Sequence, residues 1–213
     1  MDNKFLAIEG IDGSGKETQT KLLIEALEEE GEDIKVIDFP QYEKKSSALV
    51  EEYLSGKYGS AEEVGPKVAS VFFACDRYDG SFQIRKWLSE GSFVIADRYV
   101  SSNAGHQGGK IKDKTERINF VKWLYQLEYG LFNIPKPDKI IYLKITPEFA
   151  MKSLKDKKDK DIHETDIEHL RGAHKTYMEL AEREDNFEVV EVTENNEFLP
   201  PKEINKKILN LLS

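Results

Sequence analysis

The sequence predicts an α/β fold built on a mostly parallel sheet with helices on its faces, and three observations predict it. Five short apolar runs are rich in Val, Ile or Phe, as strands buried on both faces are. Helix-length amphipathic segments separate them. No Pro/Gly/Ser-rich linker divides the 213 residues and no internal repeat is present, so one domain spanning 1–213 is expected.

Taken in order, "KFLAIE" (4–9) is the first expected strand, and "KETQTKLLIEALEEE" (16–30) is a helix with Leu22, Leu23, Ala26 and Leu27 on its apolar side. The charged run "EEEGED" (28–33) reads as its solvated end. "IKVIDF" (34–39) is the second strand, and "VGPKVASVFFACDRYDG" (64–80) is a helix whose apolar stripe of Val68, Val71, Phe72 and Cys75 is expected to face the core. "FVIAD" (93–97) is the third strand, followed by a loop. "KTERINFVKWLYQLEYGLF" (114–132) is a helix, "KIIYLKI" (139–145) the fourth strand, "TDIEHLRGAHKTYMELAERE" (165–184) a helix and "FEVVEV" (187–192) the fifth strand. Ligands of open parallel sheets collect at the carboxyl ends of the strands. The unusual stretches fall there: Gly10 to Lys16, "FPQY" (39–42) and "DRY" (97–99).

The formal charge of −9 argues against nucleic-acid or anionic-membrane partners, and no apolar run approaches the roughly 20 residues of a membrane span. The N-terminus carries no signal-like segment, and the single Cys75 cannot close an internal disulfide. A cytoplasmic protein is expected, with Cys75 in the core. Any anionic ligand must be held by a local site.

That site is announced by "IEGIDGSGKETQT" (8–20). Gly10, Gly15 and Lys16 fit G-x-x-x-x-G-K, the loop whose backbone N–H groups and following helix N-terminus surround phosphates while the Lys reaches the outer ones. With glycine usage near 7%, these three positions would recur by chance in roughly one chain in twenty of this length. Context decides: an expected strand precedes the loop and an amphipathic helix follows it. One departure stands out. Glu17 follows Lys16 where a Ser or Thr hydroxyl would touch Mg²⁺, and Thr18 is one residue late. A signalling GTPase would need a base-reading Asn-Lys-x-Asp, which the sequence lacks.

Phe73 and Arg77, four residues apart, share the helix side away from the expected core stripe. Two readings are open: a second packing surface such as a dimer contact, or a platform on which a planar base stacks beside a guanidinium donor. The motifs together resemble the thymidylate kinase family. "GIDGSGK", "FPQY", "FFACDR", "VIADRYVSSNAGHQGGK" and "PDKIIYLKITPE" stand in that family's order and at its spacings, over nearly the whole chain.

The resemblance implies a P-loop NTPase fold, three-layer α/β/α with a five-stranded parallel sheet and a small lid at about 152–164. It implies transfer of the ATP γ-phosphoryl group to dTMP with Mg²⁺, usually in a homodimer. Lys16 and the backbone of Gly13, Ser14, Gly15, Glu17 and Thr18, with Gly10, would hold the ATP phosphates. Asp12 would hydrogen-bond the deoxyribose 3′-OH, Phe73 would stack on thymine and Arg77 would donate to its O4. Phe39 and Tyr42 belong to the dTMP side, Tyr42 at its phosphate. Asp97 and Arg98 would sit beside Mg²⁺ and the dTMP phosphate; the alternative is a structural Asp–Arg pair at a strand end. Asn103 and Gln107 match positions near the nucleoside. Glu168 is a further metal or ribose contact. His106, His163, His169 and His174 read as loop residues, not catalysts.

Phosphoryl transfer asks for in-line placement and charge neutralisation, and the dTMP phosphate, with a second pKa of about 6, needs no obligatory base. Family members usually supply an Arg from the phosphate loop or the lid. Here Ile11 to Ser14 hold no Arg and the stretch 155–163 holds Lys155, Lys157, Lys158 and Lys160, so Lys158 and Lys160 are the expected replacements. Lysine is a point charge without a planar fork. Glu17 is expected to point outward while Asp97 and waters hold the metal. A related deoxynucleoside or nucleoside monophosphate kinase, and a nucleotide binder with weak turnover, are the alternatives.

Overall fold

The structure is a computed structural model and describes residues 4–153 and 166–212. Its elements run β1 (Phe5–Glu9), α1 (Lys16–Glu29), β2 (Ile34–Asp38), α2 (Ala48–Leu54), α3 (Ala61–Val64), α4 (Pro66–Ser89), β3 (Phe93–Asp97), α5 (Val100–Gly108) and α6 (Lys114–Tyr125). They continue with β4 (Lys139–Lys144), α7 (Pro147–Ser153), α8 (Ile167–Ala181), β5 (Phe187–Glu191), a small hairpin of β6 (Thr193–Glu194) and β7 (Glu197–Phe198), and α9 (Pro201–Leu212).

All five expected strands form, and they make one parallel sheet in the order β2-β3-β1-β4-β5. β1 lies at its centre, buried along its whole length, so its apolar run has no solvated face to alternate toward. Helices flank the sheet: α1 packs with α9, and α5 packs with α8. No described helix is long and apolar enough to cross a membrane.

Three expectations are corrected. The segment after β3 is a helix, α5, not a loop, so Asn103, His106 and Gln107 have helical positions. His169 and His174 likewise lie on α8. The stripe on α4 exists but faces outward: Val68 is 51% exposed, Val71 and Cys75 are exposed, and Tyr78 and Phe82 continue the row. Cys75 is therefore not a core residue. The inner face of α4 is small and polar instead, with Ala69, Ser70, Ala74, Asp76 and Gly80 buried. A Cβ on Gly80 would stand 2.7 Å from the Phe39 ring, so the close approach of helix and strand end excludes larger side chains.

The stretch 114–132 also differs from the expected single α-helix. Its last turn, Gln126–Leu131, widens into a π-helix that carries Glu128 inward.

Candidate active site

The loop after β1 is shaped for an anion. Gly15, at φ 86°, is the N-cap of α1 and supplies no side chain to cover the first-turn N–H groups. Gly10 is excluded from bearing a side chain by a different constraint: a Cβ there would meet Ser14 Oγ at 2.3 Å. Lys16 is buried, and its ammonium is held over the loop by the carbonyls of Gly10 at 2.9 Å and Ile11 at 3.3 Å. Burial, then the charge of Arg98, lowers its pKa to about 8. Ser14 Oγ and Thr20 Oγ1 are buried with no hydrogen-bond partner among the described residues, an incomplete polar shell.

A cleft of about 620 Å³ opens in front of this loop. Its lining includes Asp12, Gly13, Gly15, Lys16, Glu17 and Thr18 from the loop, Phe39 and Tyr42 from the turn after β2, Phe73 from α4, and Asp97, Arg98, Asn103 and Gln107 from β3 and α5. These sequence-predicted residues are thus brought together by five separate elements. The turn is fixed from α4: Asp76 accepts from the Gln41 backbone at 2.8 Å and from Ser46 Oγ at 2.6 Å.

Arg98 sits at φ 65°, a left-handed conformation that is uncommon for a side-chain-bearing residue and clusters at functional sites. Its backbone N–H donates to Ile8 O at 2.9 Å. Immediately after it, α5 begins without a cap of its own. The cap comes from β1: buried Glu9 accepts from Tyr99 N at 2.9 Å, Ser102 N at 3.0 Å, Ser101 Oγ at 2.7 Å and Tyr177 Oη at 2.9 Å. Glu9 therefore sets where Arg98 stands, a role the sequence did not announce.

Arg98 forms its ion pair with Asp12, not with its neighbour Asp97. Burial opposes the Asp12 carboxylate, but Arg98 and then Lys16 outweigh it and hold its pKa far below the usual range. Asp38 and Asp97, cross-strand partners at the ends of β2 and β3, both line the cleft. Burial, then the charges of Asp97 and Glu17, raises the pKa of Asp38. Asp38 is a lining residue that sequence reasoning passed over; its signal was a carboxylate ending a strand one position before "FPQY".

Asn103 carries the most specific geometry. Its Nδ2 donates to Ser70 O at 3.1 Å and Glu128 Oε1 at 3.3 Å, both of which can only accept. That fixes the amide orientation and leaves buried Oδ1 with no partner among the described residues.

Two expected site residues stand elsewhere. Arg77 is 2% exposed and does not line the cleft; its fork is closed on Glu128, Nε to Oε2 at 2.6 Å and Nη2 to Oε1 at 2.7 Å. Glu168 pairs with Arg171 at 2.6 Å and does not line the cleft either. Glu17 lines the cleft, and its exposed carboxylate pairs with Lys21 at 2.7 Å. Lys158 and Lys160, with His163 and most of the expected lid, lie outside the described residues.

Comparison with known proteins gives one family and the same fold. The protein family described as Thymidylate kinase matches residues 8–200. A protein of Methanocaldococcus jannaschii described as "Probable thymidylate kinase" is 34% identical over 215 residues, covering 100% of this chain and 97% of its own. The thymidylate kinase of Caldanaerobacter subterraneus subsp. tengcongensis is 32% identical over 181 residues, 84% of this chain and 82% of its own. The solved thymidylate kinase of Candida albicans superposes with a TM-score of 0.79 at 22% identity, covering 99% of this chain and 91% of that one, and shows the likeness of fold.

Proposed function

We infer the working of the cleft from one premise: the chain belongs to the thymidylate kinase family, whose activity is ATP-dependent phosphorylation of dTMP to dTDP. The observation that carries the assignment of parts is the unpartnered Asn103 Oδ1 at one end of a cleft whose other end is the glycine loop with Lys16. A thymine offers an N3–H donor to that acceptor, whereas cytosine offers an acceptor there and would leave both groups unpaired. Phe73 lies in the same wall as a stacking surface. Arg77 backs this wall through Glu128 instead of lining it.

At the other end, Lys16 and the first-turn N–H groups of α1, with the loop backbone from Gly13 to Thr18, hold the ATP phosphates. Arg98 is the dTMP phosphate contact, with Tyr42 at the cleft mouth, and Asp12 orients Arg98 and accepts from the deoxyribose 3′-OH. Gln107 and Phe39 shape the nucleoside side. Lys158 and Lys160 remain in the reading, on the family resemblance alone, as cations over the transferring group. The residues fit Mg²⁺: Asp97 with Asp38 beside it makes a negative field that raises the pKa of Asp38 and that a divalent cation would relieve, and Mg²⁺ commonly takes one or two carboxylates plus phosphates. Asp97 and Asp38 would hold the ion, which would offset the negative charge of the ATP phosphates. Glu168 is not needed for it.

The purified protein, given ATP and Mg²⁺ with dTMP, dUMP, dCMP, AMP or thymidine, is expected to release ADP fastest with dTMP, and slower with dCMP by at least about a hundredfold, the scale of a buried unpaired polar group. Faster turnover of dCMP or of thymidine would overturn the base and phosphate assignments respectively.

A homodimer is the second part of the reading. Val68, Val71, Cys75, Tyr78 and Phe82 recur at three- and four-residue spacing along the outer face of α4, a seam of coiled-coil type. An isologous contact would cover the row on both copies at once. The wild-type chain is expected to sediment as a dimer and Val71→Glu as a monomer; a wild-type chain that stays monomeric at tens of micromolar would remove the proposal.

A further inference from the structure

Two histidines stand behind Arg98 that the reading so far does not use. His106 on α5 lines the cleft, and His169 on α8 is 7% exposed. Their rings stack with centroids 5.3 Å apart and planes at 23°. His106 Nδ1 lies 3.1 Å from His169 Nε2, and His106 Nε2 lies 3.3 Å from Arg98 Nη1.

Proton positions follow from donor chemistry. A guanidinium can only donate, so His106 Nε2 must accept. A neutral imidazole that accepts at Nε2 carries its hydrogen on Nδ1, so Nδ1 donates to His169 Nε2. These two contacts run in one direction, from Arg98 outward. Protonating His106 would set an N–H against the Arg98 N–H. Protonating His169 would set its Nε2–H against the His106 Nδ1–H.

We propose that His106 and His169 are a positioning pair that holds the Arg98 guanidinium toward the acceptor phosphate while both rings are neutral, and releases it when His169 takes up a proton. This rests on the reading of Arg98 as the dTMP phosphate contact. Without the pair, Arg98 is oriented from Asp12 alone, which holds its other nitrogen and draws it to the loop. The charged groups at His106 are Arg98, in direct contact, and the Asp12 carboxylate, which also pairs with Arg98. Tyr177 of α8 stands edge-on to His106 at 5.9 Å with its hydroxyl turned to Glu9, and Asp97 precedes Arg98 in the chain.

The test is KM for dTMP at saturating ATP, from pH 5.5 to 8.5, for wild type, His169→Leu, His169→Gln and Arg98→Ala. The dTMP phosphate titrates near pH 6 for every variant alike, so the variant-to-wild-type ratio cancels it. His169→Leu is expected to raise KM about fivefold at pH 8, the scale of one lost hydrogen bond. That ratio should fall to about 1 at pH 5.5, where the contact has broken in the wild type too. KM for ATP should not move. Glutamine can accept from His106 Nδ1 without titrating, so His169→Gln should match wild type at pH 8 and bind dTMP more tightly than wild type at pH 5.5.

A ratio for His169→Leu that is constant with pH, or equal to 1 throughout, overturns the proposal. Should His169→Leu fail to fold, His169→Gln decides alone: equality with wild type at pH 5.5 overturns it. Arg98→Ala separates the two levels, with an expected rise in KM of about 30-fold or more, the scale of a truncated buried charge. If that variant leaves KM unchanged, the assignment of Arg98 has failed. If it raises KM while the His169 variants do not, only the pair has.

Discussion

Lys16→Ala is expected to lower kcat by about 100- to 1,000-fold, the cost of removing one preorganised charge-stabilising donor from a dry site. KM for dTMP should stay within about twofold, because the Lys16 ammonium faces the donor loop and not the Phe73 and Asn103 wall. The same residue predicts a pH limb. Its pKa of about 8 in the free protein means the ammonium is intact below that pH and lost as pH rises through it. Phosphate binding wants the cation, and kcat/KM reports the free enzyme, so kcat/KM for ATP should fall as pH passes about 8 and the limb should vanish in Lys16→Ala. Thermal unfolding of the variant guards the reading: Lys16 spans only the carbonyls of Gly10 and Ile11, so stability should change by about 1 kcal/mol. Near-normal kcat in a folded Lys16→Ala would place the donor phosphates elsewhere.

The sheet was legible in the sequence because a strand buried on both faces writes itself as a contiguous apolar run. The phosphate loop was legible for the opposite reason: Gly10 and Gly15 answer local constraints, a close approach and a left-handed φ, that only one residue type satisfies. α5 was not legible. "VSSNAGHQG" has no apolar stripe and weak helix formers; it is helical because Glu9, more than ninety positions away from Ser102 in sequence, caps it. Gly105 then lets it approach Tyr177, whose ring would stand 2.6 Å from an added Cβ. α9 did carry a signal, Ile204, Ile208 and Leu212 at fourfold spacing behind Pro200 and Pro201.

Orientation was the harder problem at the site. Periodicity finds the stripe on α4 but not which way it points, since an apolar row covered by a second copy reads the same as one covered by the core. The buried face of that helix is small and polar, made of residues that a hydrophobicity pattern discards. His106 and His169 were invisible for a related reason: 63 residues apart in sequence, they acquire meaning only through the Arg98 contact.

Glu128→Ala is expected to destabilise the protein by about 3–5 kcal/mol, the cost of leaving a buried charge unpaired, or about 6–20 °C in Tm for a chain of this size. Arg77 cannot escape by deprotonation: burial opposes its charge, but Glu128 more than restores it and raises its pKa. The 51-residue separation explains why sequence reasoning turned Arg77 toward a ligand, since its true partner arrives on the π-turn. The double variant Arg77→Met with Glu128→Leu removes both charges at once and should recover most of the lost stability, a coupling that marks the pair as its source. It should not recover function. Glu128 Oε1 is one of the two acceptors that hold the Asn103 amide, and without it the Oδ1 proposed to accept from thymine N3–H is no longer held in place. The stable double variant is thus expected to show a raised KM for dTMP and weaker rejection of dCMP, with KM for ATP unchanged. A double variant as unstable as Glu128→Ala would mean that packing in the π-turn, not the charge pair, holds this wall together.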